Sequence, residues 1–452
     1  MGTDVGWGRV RAFRRCRALR GPGIPEGHQI AAALTILITL VALAFLTAEP
    51  RATTPVGGKV QLVPIETSAR PAPAQHSLAP LAPDAFRNPT AVASAVEFIE
   101  DRQPAGTYVL TTSGSDDVVH MDVAHAALAL TKAGRVDQAR AALDWLLVRM
   151  TTSNSADRFA GSISDGPSAG LPVDYAGSWW DHLATSGDAK RWLTRGRAEG
   201  VGQTLVATHA VWRADPDYLD RLIATSGSDR RVIDRVALAA GYIGSAAIQH
   251  PDGRFNHRPD YAVSFAEEGA RMVLGLRLAA EMLEADGREV QARVARDAAA
   301  RGLAALRAGD DVNRGMSYDY YALGIWGLVS PADASAELAA TRRAQLASRG
   351  GVRNWDWQIH NAEKPTDRLR FWIQSQAIAP SETFDWAIAA APAGAYASAL
   401  EIERRWLSLQ GSDGGFPAAY LPSVGLAFGE PTTHSAARFV MLERVLTDAL
   451  GR

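Results

Sequence analysis

Gln249-His250-Pro251-Asp252-Gly253-Arg254-Phe255 and Gln410-Gly411-Ser412-Asp413-Gly414-Gly415-Phe416 write one phrase, Gln-x-x-Asp-Gly-x-Phe, twice in a chain of 452 residues. Each copy closes an Ala- and Leu-rich run, turns on Asp-Gly and leads through a short loop into another apolar run. A weaker copy stands at Gln103-Pro104-Ala105-Gly106-Thr107-Tyr108. A phrase that returns at the same point of a helical pattern marks a repeated helical hairpin. Gln and Asp beside a tight turn can satisfy helix-end groups left without partners, while Phe packs between neighbouring hairpins. The repeat therefore reads as structural rather than catalytic. Gly415 is expected to be the turn residue that must lack a Cβ.

Outward from these phrases the chain reads as paired helices. In 136–150, Val136, Ala139, Leu143, Leu146, Leu147 and Met150 share one stripe, whereas the preceding run, 118–133, is small and apolar on most faces. Gly134-Arg135 separates the two. The order recurs: 265–285 is broadly apolar, Gly287 breaks it, and 290–306 is amphipathic. Segments 318–329 and 334–347 repeat it around Pro331. Further helices are expected at 89–102, 199–213, 229–249, 366–378, 393–410 and 433–450, and strand signals are scarce. An all-α fold follows. Alternating buried and half-exposed helices close into an α/α toroid of about six hairpins spanning 89–452, with the loops before the inner helices gathered at one end.

Gln-x-x-Asp-Gly-x-Phe resembles the repeat of the terpenoid-cyclase and protein-prenyltransferase toroids, and the wider layout is similar to six-hairpin glycosidases and polysaccharide lyases. The resemblance covers roughly 89–452, its specific part being the two short phrases. The cyclase branch implies an Asp-x-Asp-Asp acid motif or an Asp-Asp-x-x-Asp metal site, and neither string occurs; Asp116-Asp117 and Asp310-Asp311 are bare pairs. The prenyltransferase branch implies a zinc held partly by cysteine. The thioester-containing toroids imply a Gly-Cys-Gly-Glu-Gln string, also missing.

Composition narrows the classes further. Cys16 is the only cysteine, so the toroid has no disulfide, no thiolate nucleophile and no Cys-based zinc site. The net charge of −2 divides unevenly: six arginines against Asp4 and Glu26 precede residue 30, leaving an acidic remainder with no basic patch for nucleic acid. Residues 1–29 read as a basic cytoplasmic tail. Residues 30–48 form an uncharged apolar run of roughly 28 Å as a helix, close to one hydrocarbon core. The arginines upstream predict a single-pass membrane anchor with the N-terminus inside and the toroid outside. A cleaved signal peptide is the competing reading, disfavoured by the run's length and by Leu46 ahead of Ala48. Residues 49–88 carry seven prolines and read as a spacer.

The remaining signals are acids and aromatics near helix starts. Asp174 and Trp179, Tyr261, Tyr318, and Trp355 with Asp356 supply plates and carboxylates suited to the flat C–H faces and hydroxyls of sugars. Glycoside hydrolysis needs two carboxyl groups, one to donate a proton and one to act as base or nucleophile. Asp122, Glu268 and Asp319 are the expected catalytic acids, with Glu267 a rival to Glu268. Asp319 stands among Tyr318, Tyr320 and Tyr321, surroundings that favour a protonated carboxyl. His434 opens the last inner helix and is expected to line the same cavity. His257 and Tyr318 would serve as bases in a lyase. His120-x-Asp122-x-x-His125 matches no zinc pattern, so neither metal nor cofactor is expected. An extracytoplasmic carbohydrate-active enzyme, hydrolase before lyase, leads. A non-catalytic toroid binding glycan or a partner protein at the cell envelope comes second, and a terpenoid- or lipid-processing enzyme third.

Overall fold

Helices apolar on most faces have to be surrounded, and this chain surrounds them with one another. A computed structural model describes residues 80–104, 109–110, 117–150, 182–184, 198–223, 229–257, 259, 264, 266–308, 378–392, 394–421 and 425–450. Among these, the inner helices are α2 (His120–Lys132), α4 (Ala198–Ala214), α6 (Ala266–Ala285), α8 (Pro380–Ala390) and α10 (Thr433–Leu450). The outer helices are α1 (Pro89–Glu100), α3 (Val136–Val148), α5 (Val232–Ile243), α7 (Glu289–Ala308) and α9 (Tyr396–Leu407). The inner helices pack side by side in the order α8, α10, α2, α4, α6. Each outer helix backs an inner one: α3 on α2, α5 on α4, α7 on α6, α9 on α8. Among the described helices the first, α1, backs the last, α10, so the two ends of the helical domain are joined there.

The periodicities have the expected meaning. In α2 every residue from Asp122 to Lys132 is buried, whereas α7 buries Ala292, Ala295, Ala298, Ala299, Gly302, Ala305 and Leu306, one stripe at helical spacing. Small residues let the inner helices approach closely. A Cβ on Gly275 of α6 would lie 2.7 Å from the Gly202 carbonyl oxygen of α4. Among the described residues, three two-stranded antiparallel ribbons decorate the helices: β1 (Asp117–Val119) with β2 (His182–Ala184), β3 (Leu222–Ile223) with β4 (Arg230–Arg231), and β5 (Ala419–Leu421) with β6 (Leu426–Phe428).

The repeated phrase is the joint between hairpins. Gln249 Nε2 donates to the Ala298 carbonyl oxygen of α7 at 2.8 Å, and Arg301 Nη2 donates to Gln249 Oε1 at 2.7 Å. Gln410 Nε2 donates to the Ala91 carbonyl oxygen of α1 at 3.0 Å and to that of Gly414 at 3.0 Å. Gln103 does the same toward Gln138 of α3 at 2.8 Å, so the degenerate copy keeps its amide's role. Each Gln ties the end of one outer helix to the next outer helix of the ring. Asp252 and Asp413 accept from the backbone N–H two residues on, at 3.0 and 3.1 Å, closing the turns. Phe255 and Phe416 are buried, the latter edge-on to Phe384 at 5.3 Å between centroids.

Several expectations need correction. The helix expected over 118–133 starts at His120, because β1 recruits Asp117–Val119 into its pairing with β2. The helix expected over 229–249 is Val232–Ile243, Arg230–Arg231 pairing with β3 instead. Helix α8 is an addition to the expected set; Pro380 at its first turn starts it, since that position has no hydrogen bond to lose. The left-handed turn residue is Gly414 (φ +83°), matching Gly253 (φ +95°), and not Gly415. Gly415 is constrained differently, by the Phe98 ring and Pro431. The packed fold also reaches back into the expected spacer: Phe86 is buried and the Leu81 N–H donates to the Lys132 carbonyl oxygen at 3.0 Å. Segments 318–329, 334–347 and 366–377, and the expected anchor at 30–48, lie outside the described residues. No helix among those described is long and apolar enough to cross a membrane.

Where the ring closes, two buried acids meet. Asn88 Nδ2 donates to Glu403 Oε1 of α9 and to Glu443 Oε1 of α10, each at 2.8 Å, and its N–H donates to Glu443 Oε2 at 3.2 Å. Burial and the neighbouring Glu403 push the Glu443 carboxyl up to about 8.

This architecture can be tested at its turns and at its closure. Gly414→Ala should cost about 1–3 kcal/mol or more, from left-handed strain plus collision with the Ser94 carbonyl oxygen. Gly394 (φ +90°) has nothing within 4 Å of where a Cβ would stand, so Gly394→Ala isolates the strain alone. Chemical denaturation should rank Gly414→Ala as the more damaging. Glu443, raised above the ordinary 4.5, stabilises the fold fully below that value, and this contribution is lost as pH rises through about 8. Lys132, lowered to about 7 chiefly by burial, acts in the opposite sense, gaining stability as pH rises. The diagnostic is therefore a difference: between pH 5 and 9, Glu443→Gln should gain thermal stability relative to the unmodified protein, and an unchanged difference would refute the assignment.

Candidate active site

Counting from the start of each inner helix brings a pattern into view. The sixth residue is His125 in α2, Gln203 in α4, Arg271 in α6, Asp385 in α8 and Arg438 in α10, and all five are buried. One polar side chain from each described inner helix thus stands at the same depth. A turn nearer the helix starts stand Asp122, Glu199, Glu268 and His434, the second or third residues of α2, α4, α6 and α10.

Ion pairs knit this end of the ring. Asp385 receives two guanidiniums: Arg438 Nε lies 3.0 Å from Oδ1 and Arg271 Nη2 lies 3.5 Å from Oδ2. Arg271 Nη1 also pairs with Glu199 and lies 3.3 Å from Met121 Sδ, so this side chain reaches α2, α4 and α8 from α6. A buried guanidinium without such partners would be strongly destabilising. Arg438 Nε donates to His434 Nε2 at 3.3 Å, and His434 Nδ1 lies 3.3 Å from Asp122 Oδ1. The His434 ring leans on His125 at 4.4 Å between centroids. Burial pushes the His125 imidazolium well down, reinforced by Arg438, His434 and Arg271, with Gln203 opposing, so His125 is neutral. Neither of its ring nitrogens meets hydrogen-bond geometry.

The second cluster lies at the start of α6. His257, in the loop after the first Gln-x-x-Asp-Gly-x-Phe, places Nδ1 2.7 Å from both Glu268 oxygens. Its own carbonyl accepts from the Ala198 N–H at 3.2 Å, which fixes the loop against the start of α4.

Asp122, His125 and His434 offer ligand atoms within 4.8 Å of one another, the makings of a metal trio. The hydrogen bonding speaks against it. Ligation through His434 Nδ1 requires the proton on Nε2, where it would face the Arg438 N–H, donor against donor. Two nearby guanidiniums add repulsion for a cation.

Of the anticipated site residues, Asp122 and His434 are in contact, and Glu268 stands at the start of α6, held by His257. Asp319, Asp174, Trp179, Tyr261, Tyr318, Trp355 and Asp356 lie outside the described residues. Sequence reasoning missed Glu199, Gln203, Arg271, Asp385 and Arg438. For the last four, the shared sixth position in the inner helices was the available signal, legible only once the helix starts are known.

No protein-family model matches the sequence, and no curated protein does. Solved structures do. A single-residue variant of a glycosidase in complex with glucose superposes with a TM-score of 0.58 at 17% identity, over 79% of this chain and 96% of that one. A bacterial glucoamylase complexed with acarbose gives 0.54 at 13% identity, over 82% of this chain and 57% of that one. An uncharacterized conserved protein from Thermus thermophilus gives 0.50 at 14% identity, over 78% and 99%. The chain shares the α/α-toroid fold of these solved structures. At these identities the likeness concerns the α/α toroid itself, and chemistry has to be argued from the side chains.

Proposed function

We propose that this α/α toroid is a glycoside hydrolase acting on a cell-envelope or external glycan. The observation that carries the reading is the placement of Asp122 and Glu268, each the third residue of an inner helix at the polar end of the ring. Hydrolysis of a glycosidic bond asks one carboxyl to protonate the leaving oxygen and another to activate water or attack the anomeric carbon. Both acids are buried, so an incoming sugar meets them with little competing water. In this reading Asp319 is a third acid, and Asp174, Trp179, Tyr261, Tyr318, Trp355 and Asp356 form the sugar-facing rim. The apolar run at 30–48 anchors the chain, with the toroid on the extracytoplasmic side.

One feature favours a second reading. Glu268 holds His257 through both oxygens, the arrangement of a carboxylate that orients an imidazole base. A lyase would use that base to take the proton beside a uronic carboxylate.

The full-length protein should be incubated with envelope polysaccharides and uronic-acid polymers. Reducing ends without unsaturated product are expected, and ultraviolet-absorbing unsaturated ends would establish the lyase instead. Asp122→Asn and Glu268→Gln should each lower turnover by about 10²–10⁴-fold. Turnover that survives both substitutions would remove these acids from the mechanism. Binding of glycan with no turnover by the unmodified protein would point to a binding module. For the anchor, a reporter fused after Arg452 should be active only outside the cytoplasm and stay with membranes in high salt. Release of a soluble form beginning near residue 49 would make the run a cleaved signal.

A further inference from the structure

We infer that Arg438 and Asp385 lock His434 in the tautomer that carries its proton on Nδ1, and that this proton, set beside Asp122, makes Asp122 the base or nucleophile of the acid pair. The role given to Asp122 rests on the hydrolase reading; the tautomer does not.

Arginine Nε bears a single hydrogen and never accepts. Arg438 Nε sends that hydrogen to His434 Nε2 at 3.3 Å, so Nε2 must present its lone pair. A neutral imidazole has one N–H, which is left to Nδ1, 3.3 Å from Asp122 Oδ1. A second proton on Nε2 would point at a guanidinium. That one hydrogen is shared with Asp385 Oδ1, 3.0 Å from the same Nε, and the ion pair holds the guanidinium in place; Oδ2 takes Arg271, which Glu199 holds in turn. Helices α10, α8, α6 and α4 therefore all contribute to one proton's position on an imidazole. Free histidine favours the proton on Nε2, so the Nδ1–H form is a signature of the lock.

The consequence is an asymmetry between the acids. A glycosidase needs one carboxylate to act as base or nucleophile and one carboxyl to donate a proton. Asp122, set to accept the Nδ1–H, takes the first role; the proton donor is another acid of the site. Arg438 and Asp385 act through His434 and are positioning residues.

The test is a two-bond proton–nitrogen correlation spectrum of full-length protein labelled with ¹⁵N-histidine, with His434 assigned by its loss in His434→Gln. At neutral pH the unmodified protein should show His434 protonated on Nδ1, with Nε2 at the shift of an unprotonated ring nitrogen. A proton on Nε2 overturns the proposal, and that reading needs no variant. Arg438→Met should move the proton toward Nε2; Asp385→Asn, which loosens Arg438 without deleting it, should move it part of the way. An unchanged tautomer in a folded Arg438→Met protein also overturns the lock. On any glycan that is turned over, Arg438→Met should lower kcat with KM little changed, because Asp122 loses the N–H that orients it. A tautomer that moves while kcat stays put would remove Asp122 from the base role. If no glycan is turned over, the hydrolase reading fails, and with it the role given to Asp122, while the spectrum still decides the lock.

Discussion

A side-chain amide donating to a main-chain carbonyl of the neighbouring outer helix is the contact on which the ring depends. Hydrophobic burial draws the inner helices together, but it is non-directional and would tolerate sliding between helices apolar on every side. Gln103, Gln249 and Gln410 supply direction, each ending one outer helix and grasping the next. The Asp-Gly turns make that grasp possible. Gly253 and Gly414 bring the loop backbone against the Arg301 and Ser94 carbonyls, where a Cβ would collide. The Gln410 joint has a further part, because it binds α9 to α1 and so draws the two ends of the chain into one closed structure.

Closure creates an interior that the inner helices would not tolerate singly. Arg271, Arg438, Asp385, Glu199 and Asp122 are all buried. Any one of them unpaired in that setting would cost several kcal/mol. Their partners lie on other helices: Asp385 of α8 answers Arg438 of α10 and Arg271 of α6, and Glu199 of α4 answers Arg271 again. Compensation therefore arrives only when four helices stand at matching depth. A ring shifted by one residue along any helix would strand a charge, so the polar layer selects the registered ring from looser apolar packings. The layer that specifies the fold is also the layer that presents His434 to Asp122.

Much of this was legible in the chain. The helical hairpins, their buried and half-exposed alternation and the joints between them follow from periodicity and turn chemistry. Asp122, Glu268 and His434 were legible as polar residues at the heads of apolar helices. Asp385 was not, because its helix, Pro380–Ala390, is short and mixes Ser381, Glu382 and Thr383 with apolar residues, giving weak periodicity. Arg271 and Arg438 were two among 43 arginines, and nothing local separates a buried guanidinium from a solvated one. Val118 and Val119 read locally as the start of a helix because the partner of their strand, His182–Ala184, lies far along the chain.

The sequence by itself determined what depends on neighbours within a few residues: helix type and phase, the glycine at each Asp-Gly turn, and the amide waiting at the end of an outer helix. Tertiary structure alone decided which acids and cations share the interior, since Asp122, Glu199, Arg271, Asp385 and Arg438 meet from five helices spread over the whole toroid. The difference is physical. Backbone geometry and turn strain are short-range and act in any context, whereas the electrostatics of a buried side chain depend on every charge that folding brings within a few ångströms of it.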